Sequence, residues 1–182
     1  KSREQFKSIT QHPDLTDAQM FNDFNPVVNG RTYHFSNSSS QASVAQSVLG
    51  AFRQTDTWES EDNHAGRAYN TLVSGSYYDY SGLNIIGGHM GEFITVQLPE
   101  AVVLSSFTMS ADSTQSLPRS FKVLGSIDGT TYDLLGEYTD VTVSTTDAGT
   151  NFKLDSSLSA YGSAYDYYAI VVTRVERNGT KH

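Results

Sequence analysis

Ile94, Val96 and Leu98 alternate with Phe93, Thr95 and Gln97 along the middle of the chain. This period of two marks a strand with one buried and one wetter face. Pro99 and Glu100 are expected to break it, because proline donates no hydrogen bond to a central ladder. A second strand is expected with Val103, Phe107 and Met109 on one face, followed by a polar loop that carries Pro118. A third covers residues 120–126 and ends at Asp128-Gly129, a dipeptide that tolerates positive φ and therefore signals a hairpin. Three antiparallel strands meeting at such short spacing predict an all-β sandwich.

The same reasoning extends outward. Residues 31–36, with Tyr33 and Phe35 on one face, read as the first strand. Further strands are expected at residues 134–138, 141–144 and 151–154, with Asp147-Ala148-Gly149 as a turn and residues 161–166 as a loop. Residues 168–175 form a central strand. The inward set is expected to include Ile94, Val96, Leu98, Phe107, Phe121, Val123, Ile170 and Val172.

Two segments depart from this pattern. Residues 1–30 read as a helical lead-in or linker, and residues 31–182 as the sandwich. The lead-in holds one short N-terminal helix at residues 17–23, with Thr16 as N-cap, Gln19 completing a capping box, and Leu15 stapled against Met20. Residues 51–91 show no clear strand. Gly66, Gly75, Gly82, Gly87, Gly88 and Gly91 punctuate them, with Tyr69, Tyr77, Tyr78 and Tyr80 between, which predicts an ordered functional rim of loops.

Composition narrows the function. The 182 residues suit one domain, and 37% hydrophobic content suits a sandwich whose strands each keep a wet face. The net charge of −8 and scattered Lys and Arg exclude a basic face for nucleic acid, and disfavour anionic lipid. The absence of cysteine excludes disulfides, thiolate metal sites and a cysteine nucleophile. No apolar stretch approaches the ~20 residues of a transmembrane helix. The chain starts Lys1-Ser2, without an initiator Met, so it is expected to be a processed chain or a piece of a longer one. Asn37-Ser38-Ser39 and Asn178-Gly179-Thr180 are glycosylation sequons.

Several pieces carry a family resemblance: Ser38-Ser39-Ser40, Ala51-Phe52 with Asp56-Thr57-Trp58, GEFITVQLP from Gly91, SFKVLGSIDGTTY from Ser120, and YYAIVVTRV from Tyr167. In this order and spacing they resemble the discoidin family, also known as coagulation factor V/VIII type C domains, over residues 31–177. The closest versions are those of algal-virus and marine microbial surface proteins. The resemblance implies a galactose-binding-like jelly roll acting as a non-catalytic carbohydrate-binding or attachment module. Its setting would be a larger extracellular, cell-surface or virion protein, with neighbouring domains or subunits as further partners. The competing expectation is a structural sandwich that contacts neighbouring subunits and binds no sugar.

The resemblance also implies a site. Residues 51–60 match the segment where related modules hold a structural calcium, with Asp56 and the distal Glu176 as carboxylates. Arg53-Gln54 stands where the family carries Asp-Gly, so the alternative is an Arg53 guanidinium paired with Asp56. No cofactor is otherwise required. A sugar ligand is expected where loops 51–67, 77–89 and 111–119 converge, with Tyr78 or Tyr80 as a stacking ring and Arg119, Asn63 and His64 as donors. Trp58 reads as a packing residue. No catalytic fingerprint is present, and Glu59, Glu61 and Asp62 read as a solvated acidic loop, so no enzyme is expected.

Overall fold

The structure, a computed structural model, describes residues 27–28, 30–38, 69–74, 77–111, 117–146 and 148–176. The expected helix at residues 17–23 lies outside them. Thirteen strands occur among the described residues. They are β1 (Val27–Val28), β2 (Arg31–Thr32), β3 (His34–Asn37), β4 (Tyr69–Ser74), β5 (Tyr77–Tyr80), β6 (Ile85–Ile86) and β7 (His89–Met90). The remainder are β8 (Glu92–Val102), β9 (Ser106–Met109), β10 (Leu117–Ser126), β11 (Asp133–Tyr138), β12 (Thr150–Lys153) and β13 (Tyr165–Glu176).

The main sheet has seven strands in the order β11-β10-β13-β5-β4, with β8 also paired to β13 and β3 paired to β8. All of these pairings are antiparallel. β13 is the organising strand. One side runs along β10 from Leu117↔Glu176 to Ser126↔Tyr167, while the other takes β8 at its first half and β5 at its last three residues. β9 and β12 form the opposing layer, in register at Phe107↔Phe152.

The core between the layers holds Phe121, Val123, Leu135, Val143, Phe152, Leu154, Tyr168 and Val172. Phe121 lies at its centre, edge-on to Phe152 at 5.1 Å and stacked on Tyr138 at 4.8 Å. The other face of β10 and β13 is covered too. Leu124, Ala169 and Val171 are buried there beneath Ile86, Phe93, Tyr132 and Leu134. Burial on both faces explains the unbroken apolar run of β13 over residues 167–172, where alternation would leave one face wet.

All eight residues expected inward are buried or packed against buried neighbours. The strands expected at residues 134–138, 151–154 and 168–175 are β11, β12 and β13. Four expectations differ. β8 continues through Pro99, which falls between the paired residues Gln97 and Val102, where the register with β13 shifts. β8, β9 and β10 follow one another in sequence without pairing; the chain crosses between layers at each connection, as in a jelly roll. Residues 141–144 form only a single bridge, Ser110↔Ser144. The segment read as loops, 51–91, contains β4 to β7 among its described residues.

Candidate functional site

Three backbone irregularities gather at the far end of β13. Between Pro118 and Ser120 the register with β13 slips, leaving Arg119 as an extra residue on β10. One step on, Ser120 pairs with Arg174 and Phe121 with Val172, so Thr173 is the extra residue on β13. Its hydroxyl donates to the Ser120 carbonyl at 3.1 Å. Opposite them Asp140 adopts φ 53°, a left-handed conformation that few residues other than glycine accept. Its N–H donates to Ser120 Oγ at 3.3 Å, and Val141 N–H donates to the Arg119 carbonyl at 2.8 Å. Bulges of this kind turn side chains out of the regular alternation.

Beside them lies a groove of ≈ 320 Å³. Ser120, Thr173, Arg174 and Asp79 line it, Glu137, Tyr138 and Thr139 of the β11 end form one side, and Tyr80 and Met90 the other. Asp79 and Arg174 are cross-strand partners. Arg174 Nε donates to Asp79 Oδ1 at 2.6 Å and its Nη1 to Asp140 Oδ1 at 2.9 Å. Both bonds hold the guanidinium more firmly charged than usual. The groove thus offers fixed donors, fixed acceptors and small hydroxyls within one concave surface.

A second cluster flanks it. Arg119 Nη2 donates to the Tyr77 hydroxyl at 3.2 Å, and its guanidinium carbon lies 5.0 Å from the Tyr77 ring centre. Nη1 lies 3.4 Å from Glu176 Oε2. The Arg119 side chain is 13% exposed, and its Nε is buried without a hydrogen-bond partner. On the other side of the groove, Lys122 Nζ donates to His89 Nδ1 at 3.4 Å and approaches Glu137 at 3.5 Å. Burial pushes the His89 imidazole below its usual range, and the Lys122 charge adds to the effect.

The structure therefore redistributes the residues expected from sequence. Tyr78 and Tyr80 belong to β5, not to an open loop, and both pack against the inter-layer core. Tyr80 accepts a hydrogen bond from Asn84 N–H at 2.8 Å and meets Tyr69 edge-on at 5.3 Å. Only Tyr80 also borders the groove. Arg119 is engaged by Tyr77 and Glu176, and Glu176, expected as a distal calcium ligand, faces that guanidinium. Asn63, His64 and Asp56 lie outside the described residues. Among the described residues, no three His, Asp or Glu side chains converge as a metal site. The described residues that follow two of the loops expected on one rim, Tyr69 and Leu117, lie at opposite ends of β5. β4 starts at Tyr69 beside Tyr80, whereas β10 starts at Leu117 beside Glu176, which pairs with Tyr77.

Sequence reasoning missed Arg174, Asp79 as its partner, and Asp140. The available signal was two arginines and two aspartates flanking strand ends, but a bulge is invisible to a period-two reading.

No family model matches the sequence, and no curated protein matches it. Among solved structures, the chain is similar to the Clostridium perfringens module CpGH89CBM32-5 in complex with GalNAc-β-1,3-galactose. The TM-score is 0.47 at 10% identity, over 81% of this chain and 86% of that one. It is also similar to the family 32 CBM of C. perfringens NanJ in complex with galactose, with TM-score 0.43, 10% identity, and 79% and 88% of the two chains covered. A third similar structure, CBM32-1 and CBM32-2 of C. perfringens ZmpB, has TM-score 0.45 and 13% identity; the match covers 89% of this chain and 38% of that one.

Proposed function

We propose that this chain is a non-catalytic carbohydrate-binding module of a larger extracellular or virion surface protein, and that the groove beside Arg174 holds its ligand. The observation that carries this reading is the trio of irregularities at Arg119, Thr173 and Asp140, which together aim polar groups into one concavity. Irregular backbone of this kind has an energetic cost, and it concentrates at functional sites. A sugar presents hydroxyls that both donate and accept, beside patches of C–H. The Arg174–Asp79 pair supplies one donor set and one acceptor set already fixed in place, Ser120, Thr139 and Thr173 add hydroxyls, and Met90 adds an apolar wall. The resemblance of residues 31–177 to discoidin domains supports the same reading, and on sequence grounds Asn63 and His64 remain candidates to add donors.

Such a shallow polar site binds weakly, because each sugar hydroxyl must first shed its water. Dissociation near ~1 mM corresponds to about 4 kcal/mol, so useful adhesion requires many copies. A glycan array probed with the multimerised chain tests the reading. Hits that Arg174→Ala removes are expected. An array without hits, together with a stable multimer on sizing, contradicts it in favour of an assembly subunit.

A further inference from the structure

The β6–β7 hairpin has two apolar faces, and only one is covered. Ile86 packs onto Leu124, Ala169 and Val171, and Asn84 Nδ2 donates to the buried Glu92 at 2.9 Å. The alternate positions point the other way. Leu83 is 90% exposed, Ile85 57% and Met90 50%, and Ile85 pairs directly with Met90 across the hairpin. Three large apolar side chains thus share one outward surface.

This surface is held in place, not a loose tip. Gly87 and Gly88 take φ of 55° and 79°, and a Cβ on Gly87 would lie 2.6 Å from Tyr132 Cβ, so the turn fits only as glycine against that ring. Gly91 N–H donates to the Asn84 carbonyl at 3.1 Å, and Asn84 N–H to the Tyr80 hydroxyl at 2.8 Å. Side chains fixed in this way lose little freedom when something covers them. Clustered apolar exposure of this kind marks a binding surface more often than isolated exposed residues do.

Met90 also belongs to the groove wall and pairs with Ile85, so the exposed apolar side chains of the hairpin adjoin the polar groove. We infer that the ligand is amphiphilic: a glycoside whose sugar sits in the groove and whose apolar aglycone lies across Met90, Ile85 and Leu83. This inference rests on the proposed sugar site for its first half only.

Calorimetric or NMR titration of the chain with methyl and n-octyl β-D-glucopyranosides and β-D-galactopyranosides, below the micelle concentration of the octyl forms, is the test. For the sugar that binds, the octyl form is expected to bind tenfold or more tightly than the methyl form. Leu83→Ser with Ile85→Ser should erase that gain while leaving methyl glycoside binding intact. Equal affinities, or a gain that survives the double substitution, overturn the inference and leave the sugar site standing. Octyl binding that the double substitution abolishes, with no methyl binding at any concentration, would keep the apolar surface and remove the sugar site. No binding of either form removes both.

Discussion

Asp79 and Arg174 stand opposite each other on β5 and β13, with Nε to Oδ1 at 2.6 Å, so a cation that lines the groove is held by its cross-strand neighbour. Both side chains are partly buried, which raises the value of the bond above that of a surface ion pair. Asp79→Ala is expected to cost about 1–3 kcal/mol in thermal or chemical unfolding. It should also weaken glycan binding, because a guanidinium held by Asp140 alone no longer presents its donors in the same geometry. A double-mutant cycle of the two that returns simple additivity would show the pair to be uncoupled.

The core makes a separate prediction. Phe121→Ala removes a fully buried ring from the Phe107, Tyr138 and Phe152 cluster and should cost about 3–5 kcal/mol. Val96→Asp places a carboxylate between Phe35 and Tyr168 on the paired strands and should prevent cooperative folding. A soluble Val96→Asp chain with a sharp unfolding transition would contradict the placement of β8.

Much of this core was legible in the sequence, and the reason is physical. Ile94, Val96 and Leu98 alternate because one face of β8 meets the inter-layer core, and alternation survives in the sequence whatever the topology. Asp128-Gly129 announced its turn because Gly129, at φ 69°, needs a left-handed residue there. Pairing was not legible: β9 looks like a hairpin partner of β8, yet Phe107 belongs opposite Phe152, more than forty residues away. The site was the least legible part. Tyr77 and Tyr78 are adjacent and equally aromatic, and only the register with β13 sends Tyr77 to Arg119 and Tyr78 to the core.

Stability should depend on pH through His89. Burial, and then Lys122, lowers the proton affinity of its imidazole in the folded state, with Glu137 opposing. The unfolded chain therefore binds the extra proton first, and stability rises with pH through this region. The contribution is complete above the ordinary histidine range and is lost as pH falls below about 6.5. Melting temperatures between pH 7.5 and 5.5 should fall more for the wild-type chain than for His89→Gln. Equal slopes would contradict the assignment.

Metal removal should have no effect on folding. Glu176 already faces the Arg119 guanidinium, which supplies the positive charge that a calcium ion would bring. EDTA is expected to leave the melting temperature unchanged. A clear fall, reversed by added calcium, would instead support the ion expected from the sequence at Asp56 and Glu176.

Backbone chemical-shift mapping with the strongest glycan hit tests whether a sugar occupies the groove beside the two bulges. Shifts are expected to centre on Asp79, Ser120, Thr139, Thr173 and Arg174, saturating in the high micromolar to millimolar range expected for one weak site. Shifts confined to the opposite end of the sandwich, around Asp128, Gly129 and Tyr167, would contradict it.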